Sequence, residues 1–404
     1  MAFTKLTSTL GLLSISASLL WAHGSVKFDP KDNPERAIEF PDTAEYLTLT
    51  LDPHTHSVFS DGHVWPNIRV EEALRDGLDA LAITEHLEYQ PHQADIPHPD
   101  RNRSWQQASS SAKESGLLVI HGSEITRSQP VGHLNALFLS DSNALVHQPT
   151  DISPHSKEYT QAIKNWPAEN ALKAAGEQEA FVFLNHLDWT SQQPSGIAEL
   201  TDFHLEMIDQ GLIQGIEVAN THNYSEHSFA IALKHGLTVM GSSDIHGLID
   251  WDYPPAQGAH RPVTLVLAAE RTKASMHEAL NAGRTAAWFN NLLIGREVNV
   301  RPIVDACISI EHVYYLPKTQ ILAVSIHNQS DAKFQLLNES DYTFARRGDL
   351  IELEPHQSTL IKIRTGVTLD RFELPVSVLN VLVAPKTPLR LKLSGDVEEK
   401  TDSL

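Results

Sequence analysis

The chain has 404 residues, an apolar content of 41% and a formal charge of −20, from 31 Lys and Arg against 51 Asp and Glu. The length allows two domains, one of them large, and the apolar content is sufficient for a buried core. The charge argues against binding to a nucleic-acid backbone as the main activity, because such binding needs clustered Lys and Arg. Small phosphorylated substrates are compatible with this charge if bound metal ions invert its local sign.

The N-terminus has the pattern of a secretory signal peptide over residues 1–24. Lys5 supplies the positive charge, residues 10–20 form an apolar core too short to span a bilayer, and Ala22 and Gly24 are small residues at a cleavage site. The alternative is an ordinary buried helix. We expect a mature chain that starts near Ser25 and is periplasmic or secreted. No later stretch predicts a membrane span, and a single cysteine forbids an internal disulfide.

Residues 25–44 are polar and contain prolines, and they predict an N-terminal arm. From residue 45 to residue 300, short apolar runs alternate with helical patterns. The predicted strands cover residues 47–51, 78–84, 117–120, 134–139, 180–184, 215–218, 238–240 and 263–268. This alternation predicts a parallel-stranded α/β fold, either open or closed, and the polar stretch at residues 88–116 predicts a loop or lid.

The pattern changes after residue 300. Short β-type runs separated by turn residues follow one another without a helical period, at residues 306–316, 321–327, 334–337, 350–353, 358–364 and 379–384. Residues 301–396 therefore predict a small β-sandwich appended to the first domain, and residues 397–404 form a charged tail. The sequence leaves the role of this β-domain and the oligomeric state open.

Acidic and histidine side chains recur at the ends of the predicted strands, which form the catalytic face of α/β barrels. His54 and His56 follow the first strand, and residues two apart in an extended segment point to the same side. The candidate ligands are His54, His56, Asp61, His86, Glu124, His133, His186, Asp244 and His246. Carboxylates with imidazoles suit zinc, manganese or iron. Nine ligands are too many for one ion, so we expect two or three divalent ions with a bridging carboxylate such as Glu124.

Six motifs, between about residue 46 and residue 290, together resemble the polymerase and histidinol phosphatase (PHP) superfamily of metal-dependent phosphoesterases. In chain order they are His54-x-His56 with Ser60-Asp61-Gly62, Thr84-Glu85-His86, Gly122-Ser123-Glu124, Gly132-His133, Asn185-His186 and Ser243-Asp244-Ile245-His246. The resemblance implies a distorted (β/α)7 TIM-like barrel with a metal cluster at the carboxyl ends of its strands. It implies a first ion at His54, His56, Glu124 and Asp244, a second at Glu124, His133 and His186, and a third at Asp61, His86 and His246.

The same resemblance implies hydrolysis of a small phosphomonoester or phosphodiester. A water between divalent ions loses a proton near neutral pH and can attack phosphorus, while the ions neutralise the nonbridging oxygens. The predicted catalytic residues are Asp244, His246 and Glu124, and a histidine at the third ion could protonate the leaving alkoxide. The predicted substrate-binding residues are Arg127, Asn220, His222 and Arg261, of which the two arginines would hold phosphate.

Two other functions are compatible with the sequence. A metal-cluster hydrolase could cleave a non-phosphate ester or an amide with the same ligands, and only a substrate screen separates it from a phosphoesterase. A non-enzymatic protein that binds a metal or a carbohydrate is the other alternative, with the β-domain as its functional part. The complete ligand set favours an enzyme, because an unused cluster would not need both carboxylates and every strand-end histidine.

Overall fold

A computed structural model describes residues 38–398 apart from residues 93–94, 97–98, 154–155 and 255–256. The predicted signal peptide (residues 1–24), most of the predicted arm and residues 399–404 of the predicted tail lie outside the described residues. Among the helices that the structure describes, none combines the length and the apolar composition that crossing a bilayer requires.

Nineteen strands and nine α-helices are described. The strands are β1 Leu47–Asp52, β2 Ala80–Ile83, β3 Leu118–Thr126, β4 His133–Leu137, β5 Phe181–Leu184, β6 Gly215–Asn220, β7 Asn223–Tyr224, β8 Thr238–Ser242, β9 Val263–Ala268, β10 Thr285–Phe289, β11 Leu292–Gly295, β12 Ile308–Tyr315, β13 Ile321–Asn328, β14 Phe334–Asn338, β15 Thr343–Phe344, β16 Leu350–Leu353, β17 Gln357–Arg364, β18 Arg371–Ala384 and β19 Thr387–Asp396. The helices are α1 Pro66–Arg75, α2 Arg103–Ser111, α3 Lys157–Asn165, α4 Ala168–Gly176, α5 Asp202–Asp209, α6 Glu226–His235, α7 Ile249–Asp252, α8 Lys273–Asn281 and α9 Glu297–Cys307.

The first part of the chain is a distorted α/β barrel, and the predicted fold of an α/β core followed by a β-sandwich is confirmed. Strands β1, β2, β3, β5, β6 and β8 run in one direction. Two strands depart from the predicted parallel order: β4 is antiparallel between β3 and β5, and β9 is antiparallel beside β1. The reversal of β4 brings its first residue, rather than its last, to the edge where the parallel strands end.

The barrel strands are nearly continuous apolar runs because both of their faces are buried. In β5, Phe181 and Phe183 pack with Leu51 and Met240 on one face of the sheet. The intervening Val182 lies on the other face, in a separate apolar cluster that includes residues of the surrounding helices. This alternation fixes the register, since a shift by one residue would exchange the two faces.

Side chains, rather than a backbone ladder, connect β8 to β9. The Thr264 hydroxyl accepts from the Gly241 N–H at 2.9 Å and donates to the Gly241 carbonyl at 2.8 Å. Thr285 of β10 donates to the Val239 carbonyl at 2.7 Å. A Cβ at Gly241 would lie 2.8 Å from the Cβ of Ala287, so this close approach requires glycine.

The C-terminal part is a β-sandwich that continues the sheet of the barrel. One of its sheets has the order β16-β14-β18-β19 and the other the order β12-β13-β17-β15. Strand β18 also pairs in parallel with β11, with Leu293 opposite Val381. Trp288 and Leu293 of the barrel share one apolar cluster with Val378 of the sandwich. Barrel and sandwich are therefore joined by both a sheet and a core.

Three further elements differ from the sequence prediction in extent or type. Helix α9 runs from Glu297 to Cys307 and crosses the predicted boundary at residue 300. Strand β18 begins at Arg371, before the predicted run at residues 379–384. Part of the predicted loop or lid is helix α2, whose Trp105 stacks on His121 of β3 with 4.4 Å between ring centroids. The sequence of α2 is mostly polar, so it was predicted as a loop although it forms a helix against the barrel.

Candidate metal centre

The nine predicted ligands converge at the edge of the barrel where the parallel strands end. His54 and His56 follow β1, and Asp61 lies in the turn beyond them. His86 follows β2 and forms an isolated parallel bridge with Glu124 of β3. The remaining four ligands are His133 at the start of antiparallel β4, His186 after β5, and Asp244 and His246 after β8. The chain thus brings together residues up to 192 positions apart, from His54 to His246.

The first group contains His54, His56 and Asp244. The two Nε2 atoms lie 3.0 Å apart, and each is 3.1 Å from Oδ1 of Asp244. Oε2 of Glu124 is 3.5 Å from Nε2 of His54 and 3.4 Å from Nε2 of His56. The four side chains predicted to share the first ion are therefore adjacent in the structure.

The second group is centred on Glu124. Its Oε1 lies 2.8 Å from Nδ1 of His133, and its Oε2 lies 2.7 Å from Nδ1 of His86. His186 is farther away, with its Nε2 at 3.9 Å from Oε1 of Glu124 and 3.8 Å from Oδ2 of Asp244. The closest neighbours of Glu124 thus include His86, which the sequence assigned to the third ion.

The third group surrounds Asp61. Its Oδ1 lies 3.2 Å from Nε2 of His246, 3.4 Å from Nε2 of His86 and 3.9 Å from Nδ1 of His56. The turn that carries Asp61 folds tightly against the first strand end. A Cβ at Gly62 would lie 2.7 Å from the carbonyl oxygen of His56, so only glycine allows this turn.

The donor set fits divalent cations. Three of its atoms are buried and form no well-aligned hydrogen bond among the described residues, although other ligands lie close to them, namely Oδ1 of Asp61, Oε2 of Glu124 and Nδ1 of His133. Nδ1 of His54 lies 2.8 Å from Oε1 of Glu217 and donates to it, which leaves the Nε2 lone pair directed at the first group. Three sets of oxygen and nitrogen atoms are each close enough to surround one ion. Such convergent oxygen and nitrogen atoms can bind a metal ion once the imidazole nitrogens that face it have lost their protons.

Two buried glutamates behind the ligands were not identified as functional from the sequence. Glu217 of β6 accepts from Nδ1 of His54 at 2.8 Å and from the His186 N–H at 2.7 Å. Glu85 accepts from the Ser60 hydroxyl at 2.5 Å, and that hydroxyl lies 3.2 Å from Nδ1 of His56. Both carboxylates fix the tautomers of ligand histidines. A charged residue inside the apolar strand β6 was the available signal for Glu217.

The electrostatics of the group depend on burial and on the mixture of acids and imidazoles. Burial opposes a charge on His54, but the carboxylate of Asp244 and two glutamates outweigh it and raise the pKa of His54 well above its usual value. Burial and two neighbouring imidazoles lower the pKa of His56 to about 3. Burial alone would raise the pKa of Glu124, but the surrounding imidazoles hold it well below its usual value. The carboxylates are thus ionised near neutral pH, as metal ligands must be.

Two ligands have a left-handed backbone conformation directly after their strands. His186 has φ 25° and Asp244 has φ 50°. This region is uncommon for residues other than glycine, and strain of this kind is found at functional sites where the surroundings hold it. The Asp244 N–H donates to the His54 carbonyl at 2.9 Å, and the His186 N–H is held by Glu217. These bonds turn both side chains toward the cluster.

Three of the predicted substrate-binding residues lie beside the cluster. Arg127 lines a cavity of about 700 Å³ together with His133, and it forms an ion pair with Glu88. Asn220 and His222 line a second cavity of about 380 Å³ that also includes His186. These positions are compatible with contact to a substrate.

The structure contradicts the predicted substrate-binding role of Arg261. Its side chain is fully buried, and its guanidinium lies 3.0 Å from Oδ2 of Asp52 and 2.8 Å from Oδ2 of Asp76. Asp52 in turn accepts from the Ser243 N–H and hydroxyl, at 3.1 and 2.6 Å. A buried guanidinium with two carboxylate partners cannot receive a phosphate. Arg261 instead anchors the strand end before Asp244.

Comparisons with known proteins agree with this geometry. The chain is similar to a two-domain protein from Bacteroides vulgatus that contains a predicted PHP-like metal-dependent phosphoesterase, with 38% identity, a TM-score of 0.79 and coverage of 90% of this chain and 99% of that chain. A family model described as an Ig-like domain matches residues 308–394. A search of curated proteins finds no match.

Two other solved structures are more distant. A candidate metal-dependent phosphoesterase from Bifidobacterium adolescentis is 21% identical, with a TM-score of 0.36 and coverage of 49% of this chain and 87% of that chain. A lesion-specific endonuclease from Pyrococcus furiosus is 14% identical, with a TM-score of 0.36 and coverage of 62% of this chain and 59% of that chain.

The α/β core with its convergent ligands and the appended Ig-like sandwich defines a two-domain protein with a metal-dependent phosphoesterase fold. The identity of 38% to the Bacteroides vulgatus protein, over 90% of this chain, is sufficient to assign the chain to the family of that protein. The chain belongs to the PHP-like metal-dependent phosphoesterases.

Proposed function

We propose that the protein is an exported phosphoesterase that hydrolyses a small phosphomonoester or phosphodiester. The observation that carries this proposal is the convergence of three adjacent ligand groups, whose mostly buried oxygen and nitrogen atoms lie close enough together to surround an ion in each group. Such a cluster suits hydrolysis of a charged ester, because closely spaced cations can neutralise an anionic phosphate.

The nine ligands would hold two or three divalent ions of zinc, manganese or iron. Bound there, the ions supply a water of lowered pKa as nucleophile and neutralise charge that develops on the phosphate. Glu124 lies between the first and second groups and is placed to contact both. Asp244 is oriented by its backbone bond to His54, so its carboxylate stays within reach of the first group.

His246 is the best-placed proton donor for the leaving oxygen. Its side chain is 34% exposed, whereas those of His54 and His56 are completely buried. Its Nδ1 is held at 2.8 Å from the Asp244 carbonyl, which orients Nε2 toward Asp61 and the open side of the cluster. If only the first two groups hold ions, Nε2 of His246 would not be a ligand, and a proton held there could pass to an alkoxide that leaves on this side.

Hydrolysis of p-nitrophenyl phosphate and bis(p-nitrophenyl) phosphate by metal-loaded protein tests the proposal. We expect His54→Ala and Asp244→Ala to abolish turnover, and His312→Ala to retain it, since His312 is 64% exposed on β12 of the sandwich. Metal analysis of protein purified without chelator would identify the ions.

Three outcomes would reject the phosphoesterase proposal. Cleavage of carboxylic esters or amides, without cleavage of a broad panel of phosphates, would identify the second kind of hydrolase. Metal binding without any turnover would identify a binding protein. Inactivity together with no binding of any divalent metal tested would reject the proposed role of the cluster.

The export part of the proposal depends on the signal-like pattern at residues 1–24. N-terminal sequencing of protein from the periplasm or the medium should find a chain that begins near Ser25. A full-length chain in the cytosol would contradict export without affecting the proposed chemistry.

A further inference from the structure

Two cavities of unequal size adjoin the metal cluster. The larger one, of about 700 Å³, has His133, Tyr89 and Trp189 in its lining. The smaller one, of about 380 Å³, has His186 and Trp189 in its lining. Trp189 is common to both linings, so the two cavities adjoin at this residue.

The two cavities meet at the cluster itself. The ring centroid of Trp189 lies 5.5 Å from that of His133 and 5.5 Å from that of His186. The rings of His133 and His186 are 5.1 Å apart. A tetrahedral phosphorus bound at these histidines would therefore have one cavity on each side, within the reach of two ester substituents.

The larger cavity is lined by aromatic side chains that are suited to bind a flat ring. Tyr89 and Trp189 are each 45% exposed, although large aromatic side chains are usually well buried. The Tyr89 ring centroid lies 5.9 Å from that of His86, which keeps it beside the cluster. Exposed aromatic faces that line a cavity next to polar groups are typical of ligand binding, and they offer stacking surfaces to a flat ring. Arg127 and Gln192 supply polar groups in the same lining.

The smaller cavity has a different chemistry. Its lining contains the carboxylate of Asp188 and the polar side chains of His222 and Asn223, whereas Glu217 in the same lining already accepts four hydrogen bonds. Asn223 donates to Asp188 at 2.6 Å. Carboxylates disfavour a second anionic group, whereas they can accept hydrogen bonds from hydroxyls. This cavity therefore suits a neutral, hydroxyl-bearing substituent.

We infer that the substrate is a phosphodiester, with a ring-bearing substituent in the larger cavity and a smaller, hydroxyl-bearing substituent in the other. The inference rests on the proposed function and selects between its two substrate classes. A monoester has a single substituent and would leave one cavity unused. Hydrolysis consumes one water, breaks one phosphorus–oxygen ester bond, and releases a phosphomonoester and an alcohol.

Blocking the smaller cavity separates the two substrate classes. Asn223→Trp fills this cavity from an exposed position and should lower kcat/KM roughly tenfold for bis(p-nitrophenyl) phosphate while leaving p-nitrophenyl phosphate unaffected. Asn281→Trp is the matched control, because Asn281 is an exposed asparagine at the end of α8 and lies outside both linings. Trp189→Ala should lower kcat/KM for the diester roughly tenfold, and Trp189→Phe should restore most of it because the stacking face returns.

Calorimetric titration provides a readout that does not depend on turnover. Diphenylphosphinate and phenylphosphonate imitate a diester and a monoester with carbon–phosphorus bonds that hydrolysis does not cleave. With metal-loaded protein, Asn223→Trp should weaken diphenylphosphinate binding roughly tenfold and leave phenylphosphonate binding unchanged.

The possible results distinguish this inference from the proposed function. Faster hydrolysis of the monoester than of the diester, or equal effects of Asn223→Trp on both classes, would overturn the diester assignment and leave a phosphoesterase. Hydrolysis of neither ester would overturn the proposed function and the diester assignment together.

Discussion

Glu217 offers a sharp test of how the ligands are held. Oε1 of this buried carboxylate accepts from Nδ1 of His54 at 2.8 Å and from the Ser242 hydroxyl at 2.5 Å, and Oε2 accepts from the His186 N–H at 2.7 Å and from Asn220 at 3.0 Å. Glu217→Gln preserves the shape but leaves a single acceptor oxygen. Whichever way the amide is turned, its NH2 group faces two donors.

The expected magnitude follows from this geometry. Each donor left without a partner costs about 1–3 kcal/mol, so we expect a lower free energy of unfolding. Loss of a carboxylate behind a ligand histidine typically weakens metal affinity about 10- to 100-fold, or roughly 1.4–2.7 kcal/mol, because the tautomer and the ring orientation are no longer fixed.

Competition with a chelator measures the metal affinity of Glu217→Gln, and thermal unfolding measures its stability. Glu206→Gln is the control, because Glu206 lies on an exposed position of α5 and accepts only from Gln210 among the described residues. Glu206→Gln should bind metal as tightly as the wild-type protein. The reasoning would be refuted if Glu217→Gln also bound metal as tightly as the wild-type protein.

Three further predictions concern stability and metal binding. Arg261→Met should lower the free energy of unfolding by about 3–5 kcal/mol, because it removes the cation that two buried carboxylates share, and an unchanged melting temperature would contradict the anchoring role. Chelation should lower the free energy of unfolding by about 2.7 kcal/mol relative to metal at 100 times Kd, and therefore lower the melting temperature. An identical melting curve would argue against a resident metal. Metal binding should release protons near pH 7. Burial opposes a charge on His86 and His246, but nearby carboxylates outweigh burial and raise the pKa of both imidazoles. The affinity for metal should therefore fall as the pH drops through these raised pKa values. Calorimetry in buffers of different ionisation enthalpy would detect the protons, and equal heats would contradict the prediction.

The sequence alone predicted most of the site because strand geometry is local. His54 and His56 share one side of an extended segment whatever surrounds them, and apolar runs followed by acids or histidines identify strand ends. The expected long-range pairing of His54 with Asp244 is present, with 3.1 Å between Nε2 and Oδ1. The change to a β-rich C-terminal part was also readable from turn residues between short apolar runs.

The role of Arg261 could not be derived from sequence, because a basic residue near a predicted strand can face either substrate or core. Its side chain reaches Asp52 and Asp76, residues 209 and 185 positions away, and only the folded chain brings these together. The same holds for Glu217, which is a single charge in an apolar strand until His54 and His186 are placed against it.

The sequence by itself determined the kinds of ligand, their order and the strand ends that carry them. Residue type and the two-residue alternation of side chains along a strand do not depend on contacts distant in the chain. Tertiary structure decided which ligands are neighbours. Antiparallel β4 brings His133 to the same edge as the ends of parallel strands, and His86 approaches Glu124 more closely than His186 does. Strand direction and barrel closure depend on contacts distant in the chain, and those contacts also placed Trp189 in the lining of both cavities.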